Sequence, residues 1–420
     1  MNEIYKKICS VFVSNIFSLI IAALSLFILA RGLGADDRGV YASLLVVPYI
    51  IIALSEGGVR QASISLIGSG QYKISNVFKT VDLFNYISGL IGFCVCFIAL
   101  YYLYQDEYSI NLLLLSSLIV PLSVKYNSYR GFFLGLEDIK TFNISTWFNK
   151  LVVFIILLSA FILKFININI ALISVSFGLF LSVIYCEYNI RKQLITSELI
   201  FSYSLLIKML KVGFLFAVAY FLIQINYKVD VIFLKKLSSE SQVGQYSVAV
   251  QIAEMVWQLP TAALTVLMSR SANDKQKQRM YETLVKTSRM IFWLTFLCIC
   301  FVVIFSHLFS LKVFGLEYSD LTNILIYLAP GLVLASFFKT LNAYFAGTGR
   351  PQPAILAMSL SVAINIIMNI LLIPQHGAFG AAIASSISYT LMALLITHIF
   401  KKESGHSWFE FFKLKRNDIK

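Results

Sequence analysis

Charge is what this chain of 420 residues is poorest in: 13% of its residues are charged, against 59% hydrophobic. Typical soluble domains hold about 25% charged and roughly 45–50% apolar residues. A soluble fold, which must cover its surface with polar groups, is therefore excluded. The six cysteines (Cys9, Cys94, Cys96, Cys186, Cys298 and Cys300) show no Cys-x-x-Cys spacing and no nearby histidine, so they indicate neither a metal site nor a disulfide framework. A Gly-x-x-x-x-Gly-Lys-Ser/Thr loop is also missing, which argues against an ATP-driven pump made by this chain alone. No polar segment is long enough for a catalytic domain, and no large external loop of the sort found in membrane-embedded glycan polymerases occurs. No enzyme, metal or organic cofactor is expected.

What the chain has instead is a run of uncharged apolar stretches. Val11–Leu29, Leu83–Tyr104, Phe165–Cys186, Met290–Leu311 and Pro351–Ile373 each approach the roughly 20 residues that cross a bilayer as a helix. Val40–Ser55, Tyr108–Val124, Leu151–Leu163, Val212–Tyr227 and Leu321–Phe338 reach that length with flanking polar residues. Val243–Ser269 is interrupted by Glu254, and Gly377–Phe400 closes the series. The expected fold class is all-α, a polytopic membrane protein of about twelve transmembrane helices. Lys6 and Lys7 before the first stretch resemble a signal peptide. That stretch exceeds a typical h-region of about 7–15 residues and more spans follow, so it reads as an uncleaved first helix.

The net charge of +13 would point to nucleic acid in a soluble chain; here it sets topology, and no nucleic-acid partner is expected. Even-numbered connections carry Arg60, Lys73 and Lys79, then Arg130, Lys140 and Lys150, then Arg191, Lys192, Lys208 and Lys211, then a cluster from Arg270 to Arg289. The tail adds Lys401, Lys402, Lys413, Lys415, Arg416 and Lys420. Odd-numbered connections hold little: Arg31 and Arg38 beside Asp36 and Asp37, Lys164, Lys235, Lys236 and Lys312. The positive-inside rule places the even connections and both termini in the cytoplasm.

The chain also repeats itself. Leu29-Ala30-Arg31-Gly32-Leu33, followed by Gly39-Val40-Tyr41, matches Leu234-Lys235-Lys236, followed by Gly244-Gln245-Tyr246, at a shift of 205 positions (Gly39 to Gly244). Phe133-Leu134-Gly135 matches Phe345-Ala346-Gly347, each before a basic turn. These echoes put equivalent helices an even number apart, which makes the halves parallel about an axis along the membrane normal. The expected domains are a six-helix lobe at 1–192, a cytoplasmic linker at 193–204, a second six-helix lobe at 205–400 and a basic tail at 401–420.

Ionisable groups in hydrocarbon are costly and face a bundle interior or a watery cavity. Ser247, Gln251, Glu254 and Gln258 share one face of the eighth helix; Glu254 reads either as a proton- or cation-responsive carboxylate or as an inter-helix clasp. Lys228 and Asp230, two positions apart, do not face each other. Snorkelling suits Lys228, whereas the shorter Asp230 calls for a specific partner. Lys125 and Lys339 fall in the cytoplasmic third of helices four and ten, at a depth similar to Arg60 and Arg130. These four read either as an anion-attracting ring or as snorkelling anchors. Ser361, Asn365 and Asn369 form a seam on helix eleven, and Tyr220, Gln224 and Tyr227 line helix seven; such faces suit sugars or plain helix packing.

Leu29-Ala30-Arg31-Gly32-Leu33-Gly34 with Asp37-Arg38-Gly39-Val40-Tyr41 resembles the first-helix signature of bacterial O-antigen and capsule flippases, polysaccharide-biosynthesis membrane proteins of the superfamily that includes the MATE exporters. Val229–Leu234, Val243-Gly244-Gln245-Tyr246-Ser247-Val248-Ala249, Pro260, Gly57-Gly58-Val59-Arg60 and the Phe345–Pro351 turn fit the same resemblance, which covers essentially the whole chain. It implies a MATE-like fold in the bacterial inner membrane, moving undecaprenyl-pyrophosphate-linked oligosaccharide repeat units by alternating access. Under it, Arg60, Lys125, Arg130 and Lys339 would bind pyrophosphate, with Tyr220, Gln224 and Asn365 beside the glycan. Asp230 and Glu254 would couple transport to H+ or Na+. Expected partners are the lipid-linked oligosaccharide and the bilayer, with a polysaccharide polymerase and a chain-length regulator as further candidates. A cation-coupled MATE exporter is the alternative.

Overall fold

The computed structural model describes residues 2–194, 198–258 and 277–414. Within them the chain forms helices α1 (Asn2–Ser55), α2 (Val59–Gly68), α3 (Ile74–Tyr104), α4 (Ile110–Gly135), α5 (Ile139–Ile162), α6 (Ile168–Gln193), α7 (Tyr203–Leu237), α8 (Glu240–Val256), α9 (Lys277–Leu308), α10 (Leu321–Gly347), α11 (Gln352–Ser404) and α12 (Trp408–Phe412). A π turn at Phe309–Phe314 and a 3-10 turn at Leu316–Tyr318 separate α9 from α10. No strand occurs among the described residues. Pro260, the basic cluster from Arg270 to Lys275, and Lys415, Arg416 and Lys420 lie outside them.

Among the described residues, nine helices are long and apolar enough to cross a membrane, and those ending at Ser55 and Ser404 run 43 and 53 residues. Each exceeds a single crossing of roughly 20 residues and is broken at one glycine. Gly34 takes φ 73, ψ 179 and Gly377 takes φ 52, ψ −127, regions essentially closed to residues with a Cβ. Among the described residues these two helices are each long enough for two crossings, whereas α8, with 17 residues, falls short of the roughly 20 that one crossing takes. The expected polar loop after the first span is thereby corrected: Arg31 to Gly39 stays helical apart from Gly34. Arg38, fully buried, lies 5.1 Å above the Tyr41 ring, which lets a charged stretch join the packed interior.

The helices expose apolar residues on their outer faces and bury small polar ones among apolar ones. Val13, Tyr102 and Ile304 are exposed, while Ser63, Ser116, Ser117, Ser128, Ser145, Ser174 and Ser182 are buried. Lipid offers no hydrophobic drive between helices, so close packing of small residues and hydrogen bonds hold them together. Ser63, Ser116 and Ser117 donate back to their own helices at 2.7, 2.9 and 2.8 Å, which satisfies the hydroxyls where no water can.

The chain forms two compact units, Met1–Gln224 and Ile225–Lys420. In the first, α1 packs on α5, α3 on α4, and α4 on α2 and α6. In the second, α10 packs on α11, α9 and α8. The boundary falls inside α7. Its early part is held in the first unit where Gly213 meets Gly58 backbone to backbone.

The shorter echo of the repeat is visible as hydrogen bonds. After α4, the N–H groups of Leu136, Glu137 and Asp138 donate to Phe132, Leu134 and Phe133 O at 3.0, 3.2 and 2.9 Å. After α10, those of Thr348, Gly349 and Arg350 donate to Tyr344, Ala346 and Phe345 O at 2.9, 3.1 and 2.8 Å. Both are one helix-ending motif, which also closes α5 at Leu163–Phe165; after α4 and α10 its left-handed position is filled by Glu137 (φ 57) and Gly349 (φ 70). A side chain in that region costs about 1 kcal/mol. Glu137→Gly is therefore expected to stabilise the purified protein by about 1 kcal/mol, read as a raised midpoint in thermal or denaturant unfolding. An unchanged or lowered midpoint would mean that the glutamate side chain does more than fill the turn.

Candidate functional site

Polar chemistry enters the first unit at two places. At the junction of α1, α2 and α4, Glu56 is buried, and Asn127 Nδ2 donates to its Oε1 at 2.6 Å. Arg60 and Arg130 lie within electrostatic reach of that carboxylate. Arg130 Nη2 donates to Thr146 Oγ1 at 2.8 Å, and its guanidinium carbon sits 4.6 Å from the Phe142 ring centre. The Nε groups of Arg60 and Arg130 are buried without a hydrogen-bond partner, and Arg60 is joined to no carboxylate. Gly131 lets Arg60 lie close: a Cβ there would stand 2.7 Å from Arg60 Cγ. Tyr220 on α7 is within electrostatic reach of Glu56 and Arg60. The cluster thus gathers two guanidiniums around one carboxylate, and the excess positive charge favours an anion.

The second place absorbs Lys125. Its Nζ is 3.4 Å from Asp82 Oδ1, 3.7 Å from Glu187 Oε2 and 3.5 Å from the Tyr86 ring centre. Tyr129 donates to Asp82 at 2.6 Å, and Arg191 pairs with Glu187 at 2.7 Å. Lys125 therefore ties α3, α4 and α6 together and stands apart from a free cation ring. Sequence reading missed Glu56, Asp82 and Glu187. The first two flank glycine turns and basic loops and read as connection residues, although an acid one position outside an apolar stretch is a detectable signal.

In the second unit, Asp230 is buried among neutral donors. Tyr246 OH donates to Oδ2 at 2.8 Å and Asn369 Nδ2 to Oδ1 at 2.5 Å, and Ser385 also donates to Oδ2. Asn369 Nδ2 also reaches Asn365 Oδ1 at 3.1 Å, while Ser361 and Ser388 donate to Asn226 Oδ1 at 3.3 and 3.0 Å. All of these residues are buried. Asn365, expected beside the glycan, belongs to this carboxylate network. Asn369 Oδ1 and the Nδ2 atoms of Asn226 and Asn365 have no partner. A buried carboxylate flanked by two hydroxyl groups and an amide N–H can take up a proton, and its own oxygens with those of the hydroxyls suit a hard cation.

Lys228 does not snorkel. Its Nζ meets Glu254 Oε1 at 2.8 Å, because an ion pair gains more in a low-dielectric surround than in water. Glu254 thus acts as a clasp between α7 and α8. Lys339 instead lies over aromatic rings, 4.4 Å from the Trp257 centroid and 5.7 Å from that of Tyr227. Tyr227, Trp257 and Tyr389 pack on one another at 5.2 to 5.6 Å. Of the motif residues, Tyr246 ligates Asp230, Tyr41 is buried beneath Arg38, Gly39 and Gly244 are buried in their helices, Gly34 breaks α1 and Arg31 is exposed.

A bundle of membrane-length helices with charged clusters buried among them defines a polytopic membrane protein. The structure aligns over 93% of this chain and 87% of the other with the lipid II flippase MurJ in an inward closed conformation, at TM-score 0.74 and 16% identity. It aligns over 92% and 94% with an inward-facing multidrug resistance MATE family transporter of the MOP superfamily, at TM-score 0.71 and 16% identity. These likenesses establish the fold. The probable low-salt glycan biosynthesis flippase Agl15 of Haloferax volcanii is 26% identical over 172 residues, 40% of this chain and 36% of that protein. The chain belongs to the polysaccharide biosynthesis protein family, whose model matches residues 4–268. The MatE family model matches residues 216–371.

Proposed function

We propose that the chain moves undecaprenyl-pyrophosphate-linked oligosaccharide repeat units from the cytoplasmic to the outer leaflet of the bacterial inner membrane by alternating access. The observation that carries this reading is the Arg60–Arg130 cluster, where two guanidiniums share one buried carboxylate and Arg60 has no ion pair. A pyrophosphate brings the missing negative charge and accepts hydrogen bonds in the forked geometry that guanidinium offers. Tyr220, within electrostatic reach of that cluster, and its neighbour Gln224 are our candidate glycan contacts, and Lys339 is a further candidate cation for the substrate. Lys125, neutralised by Asp82 and Glu187, supports the lobe instead. The moving bodies are the two compact units, Met1–Gln224 and Ile225–Lys420, in place of the lobes 1–192 and 205–400 with a linker at 193–204, and both termini are cytoplasmic. The relative Agl15, described as a glycan biosynthesis flippase, supports a lipid-linked glycan as cargo. A polymerase and a chain-length regulator would act on the product.

The test is deletion of the gene followed by complementation. Deletion is expected to abolish surface polysaccharide while lipid-linked repeat units stay exposed to the cytoplasm. Arg60→Gln with Arg130→Gln removes two charge-assisted hydrogen bonds worth about 1.5–3 kcal/mol each, so surface polymer should fall more than tenfold. Wild-type polymer from that variant would overturn the assignment. The match of the MatE model across Asp230 and Glu254 favours a second reading, a cation-coupled exporter. Unchanged polysaccharide in the deletion strain with altered resistance to cationic drugs would select it.

A further inference from the structure

The face opposite the Arg60–Arg130 cluster, assigned to the outside by the charge distribution, holds a groove of about 510 Å³ between the outer ends of α1 and α5. Arg31, Gly32, Phe161, Ile162, Lys164 and Ile166 line it. Arg31 and Lys164 are exposed, and neither forms a hydrogen bond or ion pair through its side chain. Gly32 keeps the wall flat, since a Cβ there would stand 2.7 Å from Ile166 Cγ2. Lys164, at φ 58, is the left-handed residue of the turn that ends α5, where the N–H groups of Leu163, Lys164 and Phe165 donate to Ser159, Phe161 and Ala160 O at 3.0, 3.1 and 3.0 Å; that turn fixes where its side chain leaves the helix end. The amino end of α6, capped by Asn167 accepting from Ile170 N at 3.0 Å, begins two residues past Ile166 and adds partial positive charge. Ile162 and Leu163 beside the groove are 66% and 65% exposed, an apolar flank suited to a lipid chain.

We infer that this groove binds the headgroup of a pyrophosphate-linked isoprenoid lipid in the outer leaflet, as a release-side site for the translocated carrier. Two unpaired cations match the double negative charge of a pyrophosphate diester, whereas an ordinary phosphodiester lipid brings one. The apolar flank takes the isoprenoid chain. This inference rests on the proposed transport reading and adds a second phosphate site to it. Arg31 also gains a role within its motif. Its repeat counterpart Lys236, also exposed, offers a matched control.

The experiment is native mass spectrometry of the full-length protein in detergent, titrated with geranylgeranyl pyrophosphate, a monoester that carries one more acidic oxygen than the diester, and, separately, with cardiolipin, a lipid of double negative charge without a pyrophosphate. Arg31→Gln with Lys164→Gln is expected to remove one bound equivalent of the pyrophosphate or weaken it roughly tenfold, the sum of two exposed charge contacts. Lys236→Gln should bind like wild type. Should the double variant fail to fold, Lys164→Gln alone reads the same site at about a third of the affinity. Pyrophosphate binding unchanged in these variants overturns the inference. So does cardiolipin binding that exceeds pyrophosphate binding and is lost with the same substitutions, since the groove would then hold a resident phospholipid. Arg60→Gln with Arg130→Gln, run alongside, separates the two ideas. If both pairs of variants bind like wild type, the pyrophosphate reading itself falls; if only the outer pair does, the release-side site falls alone.

Discussion

Asp230→Asn is expected to leave a folded protein that exports at least tenfold less surface polysaccharide, while Asp230→Ala should destabilise the fold itself. The reason lies in the donors around the carboxylate. Tyr246, Ser385 and Asn369 all point hydrogens at it, and no cation is joined to it. Alanine orphans three buried donors at once, each costing about 1–3 kcal/mol. The expected loss is several kcal/mol, seen as a lowered unfolding midpoint in detergent and a reduced yield in membranes. Asparagine keeps the shape and one acceptor, so the helices still pack. It cannot take up a proton or hold a cation by charge, so any coupling through this site is lost. Lipid-linked repeat units measured in membranes of the complemented deletion strain read the transport step, and thermal unfolding reads the fold. Wild-type export by Asp230→Asn would reduce the residue to a packing hub.

Gly58→Ala is expected to remove the folded protein almost entirely. A Cβ at this position would stand 2.0 Å from Gly213 O, and the residue sits at φ 69. Two penalties therefore coincide: a backbone clash that no rotamer relieves, and a left-handed conformation costing about 1–2 kcal/mol for a side chain. The contact also holds the early part of α7 against the turn that presents Glu56 and Arg60. Gly213→Ala, 2.7 Å from Gly58 C, should be milder because its own backbone is helical. Monodisperse yield after solubilisation ranks the variants, and normal yield from Gly58→Ala would show that the two segments can part without loss.

The spans were legible because hydrocarbon imposes length and polarity on every helix. Glu254 and Asp230 were legible for the same reason, as acids inside apolar stretches. Their partners were not. Lys228 stands two positions from Asp230 in sequence, yet the structure gives it to Glu254 and gives Asp230 to Asn369 and Ser385, because helix rotation and packing across long sequence separations decide which faces meet. Glu56 beside Gly57-Gly58 read as a loop residue, since nothing local says that the turn is buried. The polar run Asp36-Asp37-Arg38 read as a loop for the opposite reason, until burial of Arg38 over Tyr41 carried the helix through it. The last short helix was hidden in what looked like a plain basic tail.

That short helix, α12, covers an aromatic surface. Phe412 lies 5.2 Å from the rings of Phe292 and Phe337, and Phe411, fully buried, packs beside Phe337 and Phe400. Trp293 donates to Phe412 O at 2.8 Å, and Arg289 donates to Glu410 O. In the order of biosynthesis, α12 is made after every helix it seals, so α9, α10 and α11 stand in the membrane with that surface bare until Phe412 has been added. A chain that stops near Ser404 would leave this aromatic face uncovered.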